Sequence, residues 1–152
     1  MGETTCCDDE DRARVSVLAS MTMDRPHHHG TSPFEERYGF SRAIRVGSAI
    51  SVAGTAPVPE PGRDQVAGAY EQMLRCVEIA TEAIEGLGGS IDEVVRTRMF
   101  IVDPDDADAV GRAHAEAFGA ASPAATMVVV AGLLDPAWRI ELEVDAVVGA
   151  GE

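Results

Sequence analysis

The chain has 152 residues, of which 26 are acidic and 12 are basic, and its formal net charge is −14 at neutral pH. A chain of this length has room for one domain with one hydrophobic core. Its acidic balance disfavours binding to nucleic-acid phosphates or to anionic membranes, so small molecules or protein partners are expected instead.

Residues 1–33 are predicted to form a loosely ordered N-terminal tail, because their composition differs from that of the rest of the chain. Within this tail, only residues 14–18 alternate in a way that suggests a strand. The tail is charged rather than apolar, so no signal peptide is indicated, and no apolar segment approaches the roughly 20 residues that span a bilayer. A cytoplasmic location is therefore expected.

No metal site and no cofactor are predicted. The three consecutive histidines at 27–29 have side chains that diverge, and no further ligand cluster lies nearby in the sequence, so a solvated histidine run is favoured. Cys6 and Cys7 are adjacent in the tail, and Cys76 falls inside a helical pattern. This spacing fits neither a disulfide framework nor a set of metal ligands.

The folded domain is predicted to span residues 34–148, and residues 149–152 are expected to form a C-terminal tail. The domain opens with a hairpin, in which the β-prone stretches 38–46 and 49–54 flank a two-residue Gly-Ser turn. Three prolines and a glycine then interrupt the pattern, which predicts a loop.

Two amphipathic helices are predicted after the hairpin. In the first, apolar residues recur at three- and four-residue steps from Gln65 to Leu87, and glycines then end the pattern. The second starts after Asp103, a helix cap, with Pro104 at its first position. His114 lies on the apolar stripe of the second helix and should face the sheet, where a hydrogen-bonded structural histidine is favoured over a catalytic one.

Three further strands are predicted. Residues 94–102 alternate in polarity, and residues 126–130 form a continuous apolar run that is typical of a strand covered on both faces. From residue 139 the chain alternates strictly. One face of the first and third of these strands carries a mixture of charged and aromatic residues: Arg96, Arg98, Phe100, Arg139, Glu141, Glu143 and Asp145.

This order of elements predicts an α+β architecture, with two helices against one face of a mixed sheet of about five or six strands. The other sheet face stays open, and its composition is too polar for a core and too apolar for bulk solvent. Such a face is most simply buried against copies of itself in a closed symmetric oligomer.

Several segments carry a resemblance to a known family: VAGTAPV, GLGGSIDEVVRTRMFIVD, HAEAFG, and PAATMVVV followed by IELEVDAV. Together they resemble the Rid (reactive intermediate deaminase, or YjgF-like) proteins, also called the L-PSP endoribonuclease family. The resemblance covers residues 38–148. It implies a chorismate-mutase-like α+β fold, a homotrimer whose sheets pack inward, and small-molecule clefts between the subunits.

The chemistry that the resemblance implies is hydrolysis of reactive imines and enamines made from amino acids, which releases ammonia and a 2-oxo acid without a metal or an organic cofactor. Active members hold the substrate carboxylate with an arginine directly after the Pro-small pair that opens the penultimate strand. This chain has Ala125 at that position. Because alanine cannot replace the bidentate contact of a guanidinium, efficient hydrolysis of 2-imino acids is not expected.

The resemblance also implies which residues form the cleft. Glu141 matches the glutamate that positions water and is the catalytic candidate. Other positions match the family's cleft aromatic, its cleft backbone segment and its cleft-lining strand: Phe40, Ala53, Gly54, Thr126 and Met127. For the last two, ordinary strand packing is the alternative, and His114 lies on a helix that would border the clefts.

Three functions stay open. The first is a hydrolase for a neutral or differently charged substrate, in which Glu141 orients water and Arg42 or Arg98 substitutes for the missing anchor; Arg42 is otherwise an exposed arginine on an amphipathic strand. The second is a trimer that binds a small metabolite or a protein without turnover. The third, a ribonuclease, is the least favoured because the chain is acidic and has no basic stripe.

Overall fold

The computed structural model describes residues 24–149. Two helices pack against one face of a six-stranded mixed sheet. The strands are β1 (His27–His28), β2 (Ala43–Val46), β3 (Ala49–Thr55), β4 (Val94–Ile101), β5 (Ala124–Val129) and β6 (Ile140–Val147). Their order across the sheet is β1-β2-β3-β6-β4-β5, and only the β4–β5 pair is parallel. This arrangement confirms the predicted α+β architecture.

The helices are α1 (Phe34–Tyr38), α2 (Ala69–Gly86) and α3 (Ala107–Phe118). The predicted cap lies one turn ahead of α3: the Oδ1 atom of Asp103 accepts a hydrogen bond from the Asp105 N–H at 3.0 Å and caps the 3-10 turn Pro104–Asp106, which leads directly into α3. None of the helices within residues 24–149 combines the length and the apolar character that a membrane crossing requires.

The predicted hairpin is confirmed, but its first strand is shorter than expected. Gly47 occupies the turn at φ 62°, a left-handed conformation that favours glycine. The prediction that residues 38–42 belong to the strand is wrong, because α1 precedes the strand, ends at Tyr38 and is capped by Gly39, which has φ 72°. Strand β2 therefore begins only at Ala43.

The sheet includes residues that lie within the predicted N-terminal tail. Strand β1 pairs antiparallel with β2, with His27 opposite Ile44 and His28 opposite Ala43. The ring of His28 packs against Gly86 at the end of α2, where a larger residue would collide with it. The strand predicted at residues 14–18 lies outside the described residues.

The hydrophobic core lies between the sheet and helices α2 and α3. Strand β6 alternates as predicted, and its core-facing residues are at most 1% exposed. Burial of such apolar area is the main favourable term in folding. The largest apolar residues buried in this core are Ile50, Met73, Ile84, Ile101, Val110, Phe118, Ile140, Leu142 and Val144.

Within one chain, two strand segments are less buried than the sequence predicts. Strict alternation would place Val95 on the core face, opposite to Arg96 on the open face, but Val95 is 40% exposed, because the pairing of β4 with β6 shifts between Val94 and Arg96. Strand β5 was expected to be covered on both faces, yet it is an edge strand, with Val128 43% and Val129 55% exposed. One chain therefore leaves an apolar sheet edge open.

Gln72 connects the segments that precede α2 and β6. It is 1% exposed, and its Nε2 atom donates to the carbonyl oxygens of Val66 at 2.8 Å and Ala137 at 2.9 Å. Its Oε1 atom accepts the Arg139 N–H at 2.7 Å. A single buried amide thus satisfies three backbone groups from two loops.

Replacing Gln72 with leucine should lower the free energy of unfolding by about 2 to 3 kcal/mol, because three backbone groups lose a buried partner. Urea unfolding at one fixed protein concentration measures this change. The matched control is Glu82→Leu on the exposed side of the same helix, with an expected change below about 0.5 kcal/mol. Equal effects of the two substitutions would contradict this role of Gln72.

Candidate functional site

A bulge in β3 forms the base of the candidate site. Val52 lies opposite Val144 and Thr55 lies opposite Leu142, so one extra residue is accommodated in β3 between these two pairs. The bulge contains Gly54, and the carboxylate of Glu141 lies directly over it. A Cβ atom at position 54 would overlap the Oε1 atom of Glu141, so glycine is required for this close approach.

Glu141 is half-buried, and its surroundings shift the pKa of its carboxyl group upward. Burial is the main cause that raises the pKa of its carboxyl group above the ordinary value, and the nearby charge of Glu143 adds to this effect. The charge of Arg42 opposes both. Within residues 24–149, no arginine, lysine or histidine nitrogen lies within 4.0 Å of the Glu141 carboxylate.

Arg42 lies beneath the bulge and is only 8% exposed, so the prediction of an exposed strand arginine is wrong. Its Nη1 atom donates to the Gly54 carbonyl oxygen at 2.6 Å and to Thr55 Oγ1 at 3.1 Å. Its Nε atom lies 3.6 Å from Glu35 Oε1. The guanidinium is thus engaged by protein groups, which does not favour Arg42 as a substitute substrate anchor.

Phe40 lines two open grooves beside the bulge. Its ring centroid lies 5.8 Å from the Cζ atom of Arg42, and the residue is 36% exposed. A groove of about 360 Å³ runs along Phe40, Ser51 and Ala53, and a second of about 640 Å³ continues from Phe40 toward His29. The surface that borders the bulge at Ala53 is therefore concave and combines an aromatic ring with small polar side chains, although Glu141 itself lines neither groove.

Arg98 is engaged by the other carboxylates of β6. Its Nη1 atom lies 3.3 Å from Glu143 Oε2 and 3.4 Å from Asp145 Oδ2. Asp145 also accepts a hydrogen bond from Ser51 Oγ at 2.9 Å. Within residues 24–149, two of the three carboxylates on this strand face are thus ion-paired, and Glu141 is the one that is not.

His114 faces the sheet, as predicted. Its Nε2 atom lies 2.8 Å from the Oγ1 atom of Thr97 on β4, and its ring packs against Phe118. Burial lowers the pKa of His114, so the neutral imidazole is favoured. This geometry is that of a hydrogen-bonded histidine within the helix-covered layer, away from Glu141.

The three candidates on β5 lie apart from Glu141 within one chain. Residues 125–127 pair with residues 97–99 of β4, and β4 separates them from β6. By this register Ala125 and Met127 share the helix-covered face with Thr97, whereas Thr126 shares the open face with Arg98. The structure brings together Phe40, Arg42, Ala53, Gly54 and Glu141, and it leaves Arg98, His114, Ala125, Thr126 and Met127 outside this group.

Two contributors to the site, Glu35 and Thr55, were not predicted from sequence. Glu35 is 5% exposed and contacts Arg42, and Thr55 is 1% exposed and accepts a hydrogen bond from it. A signal for α1 was present, because Pro33 before the segment and Gly39 after it are typical helix boundaries.

The family model described as endoribonuclease L-PSP matches residues 31–148. An uncharacterized protein of Streptomyces coelicolor is 40% identical over 119 residues, which are 78% of this chain and 89% of that protein. A RutC family protein of Pyrococcus abyssi is 34% identical over 95 residues, which are 62% of this chain and 75% of that protein.

Solved structures show the same fold. A crystal structure of a YjgF family member from Mycobacterium tuberculosis has a TM-score of 0.75 and 33% identity, and the match covers 82% of this chain and 100% of that chain. The structure of a Rid family protein from Yersinia pestis has a TM-score of 0.71 at 22% identity, with 82% and 100% covered, and it supports the fold alone. These similarities confirm the predicted Rid-type fold.

Glu141→Gln should raise the thermal stability of the protein at pH 7. Because the folded protein raises the pKa of Glu141, the folded state binds more protons than the unfolded state, and stability falls as pH rises from the ordinary carboxyl pKa through the folded value. Glutamine cannot ionise, so the variant does not undergo this loss of stability. The gain should disappear near about pH 3.5, below the ordinary value of about 4.3.

Melting temperatures at both pH values measure the effect, with Glu85→Gln on the exposed side of α2 as the control. A glutamine variant at position 141 that is less stable than the wild type at pH 7 would contradict this electrostatic description of the site.

Proposed function

Because the chain belongs to the endoribonuclease L-PSP family, whose members are also called YjgF or Rid proteins, we propose that it is a cofactor-free hydrolase of a small molecule with a C=N bond. Family membership supports a function that involves small molecules. The observation that carries the more specific proposal is the half-buried carboxylate of Glu141, which lies over the bulge that borders an open groove.

In the proposed reaction, Glu141 orients a water molecule toward the carbon of the C=N bond. The water oxygen bonds to that carbon, and Glu141 accepts a proton from the water and delivers it to the nitrogen. Loss of ammonia or an amine from the resulting carbinolamine leaves a carbonyl group. A carboxyl group with a raised pKa suits both proton steps, because it exchanges a proton more readily near neutral pH.

The charges around the site favour a neutral substrate over a 2-imino acid. Ala125 stands where active relatives are expected to carry an arginine, and it offers no contact for a carboxylate. The guanidinium groups of Arg42 and Arg98 are engaged by other protein groups. Glu143 adds negative charge near Glu141, which would disfavour an anionic ligand further.

The proposed assembly is a homotrimer whose open sheet faces pack inward, with clefts between the subunits. Strand β5 supports this, because both of its faces are exposed in one chain and it is an apolar edge strand. Each cleft would combine the Glu141 region of one copy with Ala125, Thr126 and Met127 of the next. Residues that lie apart within one chain would then belong to one site.

A second candidate function is binding of a small molecule or a protein without turnover. The pairing of Arg98 with Glu143 and Asp145 favours it, because those carboxylates have a structural use that requires no catalysis. The ribonuclease function that the family description suggests is the least supported, since the open sheet face carries three carboxylates and the net charge is −14.

The hydrolase proposal predicts that Glu141→Gln lowers turnover of a neutral imine by about 100-fold, because the variant loses the group that orients and deprotonates water. Release of ammonia from freshly generated imines measures turnover, and Glu85→Gln is the control. Unchanged turnover in Glu141→Gln would rule out the hydrolytic role. Binding of imines by thermal shift, without consumption of the ligand, would favour the second candidate.

The same assay with 2-aminoacrylate tests the substrate class. The wild type should release little or no 2-oxo acid, and Ala125→Arg should release at least about tenfold more, because it restores a bidentate carboxylate contact. Wild-type turnover comparable to that of an arginine-containing relative would refute the proposed preference.

The assembly proposal predicts a solution mass near three times the 16.0 kDa of one chain. Val128→Lys should shift the mass toward that of one chain, because it places a charge on the exposed apolar edge. Size-exclusion chromatography with light scattering measures both masses. A wild type that is monomeric at micromolar concentration would overturn the shared cleft.

A further inference from the structure

Arg42 and Glu35 form a buried ion pair next to the candidate site. They are 8% and 5% exposed, and the Arg42 Nε atom lies 3.6 Å from Glu35 Oε1. Buried charges are tolerated only when they are paired and hydrogen-bonded, and both conditions are met here. A buried ion pair does not by itself show that the folded state is more stable. The role of this pair is therefore inferred from the groups that it contacts.

Apart from the ion pair with Glu35, the Arg42 side chain contacts the bulge and Phe40. Its Nη1 atom holds the Gly54 carbonyl at 2.6 Å and Thr55 Oγ1 at 3.1 Å, on the bulge that Glu141 covers. On the other side, its guanidinium lies against the Phe40 ring at 5.8 Å. One planar group thus fixes the spacing between the aromatic wall and the bulge.

Glu35 in turn fixes Arg42 and Phe40. Its two carboxylate oxygens accept the Gly30 N–H at 3.1 and 3.2 Å, which holds the segment after β1. Its carbonyl oxygen accepts the N–H groups of Gly39 at 2.9 Å and Phe40 at 3.0 Å. Both the backbone and the side chain of Glu35 therefore define where Phe40 and Arg42 lie.

We propose that Arg42, held by Glu35, is a positioning residue: it keeps the β3 bulge in the conformation that receives the Glu141 carboxylate and places a positive charge near that carboxylate, without touching the substrate. This inference rests on the proposed function of Glu141 and assigns Arg42 a different role from that of a substrate anchor. It also assigns a role to Glu35, which lies outside the predicted cleft residues.

The charged and titratable groups around Glu141 come from three elements. Glu143 lies on the same strand, Arg42 precedes β2, and Cys76 belongs to α2. Arg42 is the cation of this set, and its charge lowers the pKa of Glu141 while burial and Glu143 raise it. Removal of the charge should therefore make Glu141 bind its proton more tightly.

Three variants test separate contributions of the pair. Arg42→Gln removes the positive charge, Arg42→Lys keeps the charge but removes the planar guanidinium, and Glu35→Gln removes the carboxylate that holds Arg42. Carbon-detected NMR titration of the Glu141 side-chain carboxyl gives the first readout, and the pH profile of turnover gives the second. Arg42→Gln should move the Glu141 titration midpoint to higher pH, because an opposite charge has been removed. Arg42→Lys should leave the midpoint near the wild-type value but lower turnover about 10- to 100-fold, because a lysine lacks the planar fork.

Glu35→Gln keeps an oxygen for the Gly30 N–H but removes the ion pair, so it should lower turnover without abolishing folding. Arg63→Gln is the matched control, because Arg63 pairs with Glu60 on an exposed loop, and it should change neither readout. If Arg42→Gln does not fold, Arg42→Lys and Glu35→Gln decide the question by the same readouts.

The positioning role would be overturned by two results together. Arg42→Gln would fold and keep the wild-type titration midpoint of Glu141, and Arg42→Lys would fold and keep wild-type turnover. The titration does not require turnover, so it separates the two proposals. Unchanged turnover in Glu141→Gln would rule out the proposed hydrolase. An upward shift of the Glu141 titration midpoint in Arg42→Gln would still support the positioning role of Arg42 and Glu35.

Discussion

The one-residue bulge in β3 is the constraint on which the candidate site depends. Because an extra residue is accommodated between Val52 and Thr55, the regular ladder with β6 is interrupted, and Gly54 comes to lie under Glu141. The carbonyl oxygen of Gly54 turns toward Arg42, which holds it at 2.6 Å. A regular strand would place a side chain where the carboxylate now lies.

Electrostatics then distinguish three carboxylates that share one strand face. Arg98 pairs with Glu143 and Asp145, which satisfies their charge at a partly exposed position. Glu141 lies further along the strand, where burial raises its pKa and no cation within residues 24–149 approaches within 4.0 Å. The same residue type therefore occupies two different electrostatic environments on one strand.

Much of the fold is predictable from sequence, because binary patterns report which face of an element is buried. The alternation in β6 and the periodicity of α2 are of this kind. The bulge at Val95 and the exposure of β5 are not predictable in this way, because they depend on register and on strand order. For the candidate site, family motifs predicted Glu141 and Gly54, which the structure brings together, whereas the buried pair of Arg42 with Glu35 depends on tertiary contacts that the sequence pattern does not reveal.

The central claim is that the site is shared: one copy contributes Glu141 over Gly54, and the next contributes the exposed strand β5. A crystal structure of the assembled protein tests this most directly. The account predicts that the Glu141 carboxylate opens into a cleft between two copies, with Ala125 and Thr126 of the neighbouring copy on its opposite wall. An assembly in which Glu141 points away from every such cleft would contradict it.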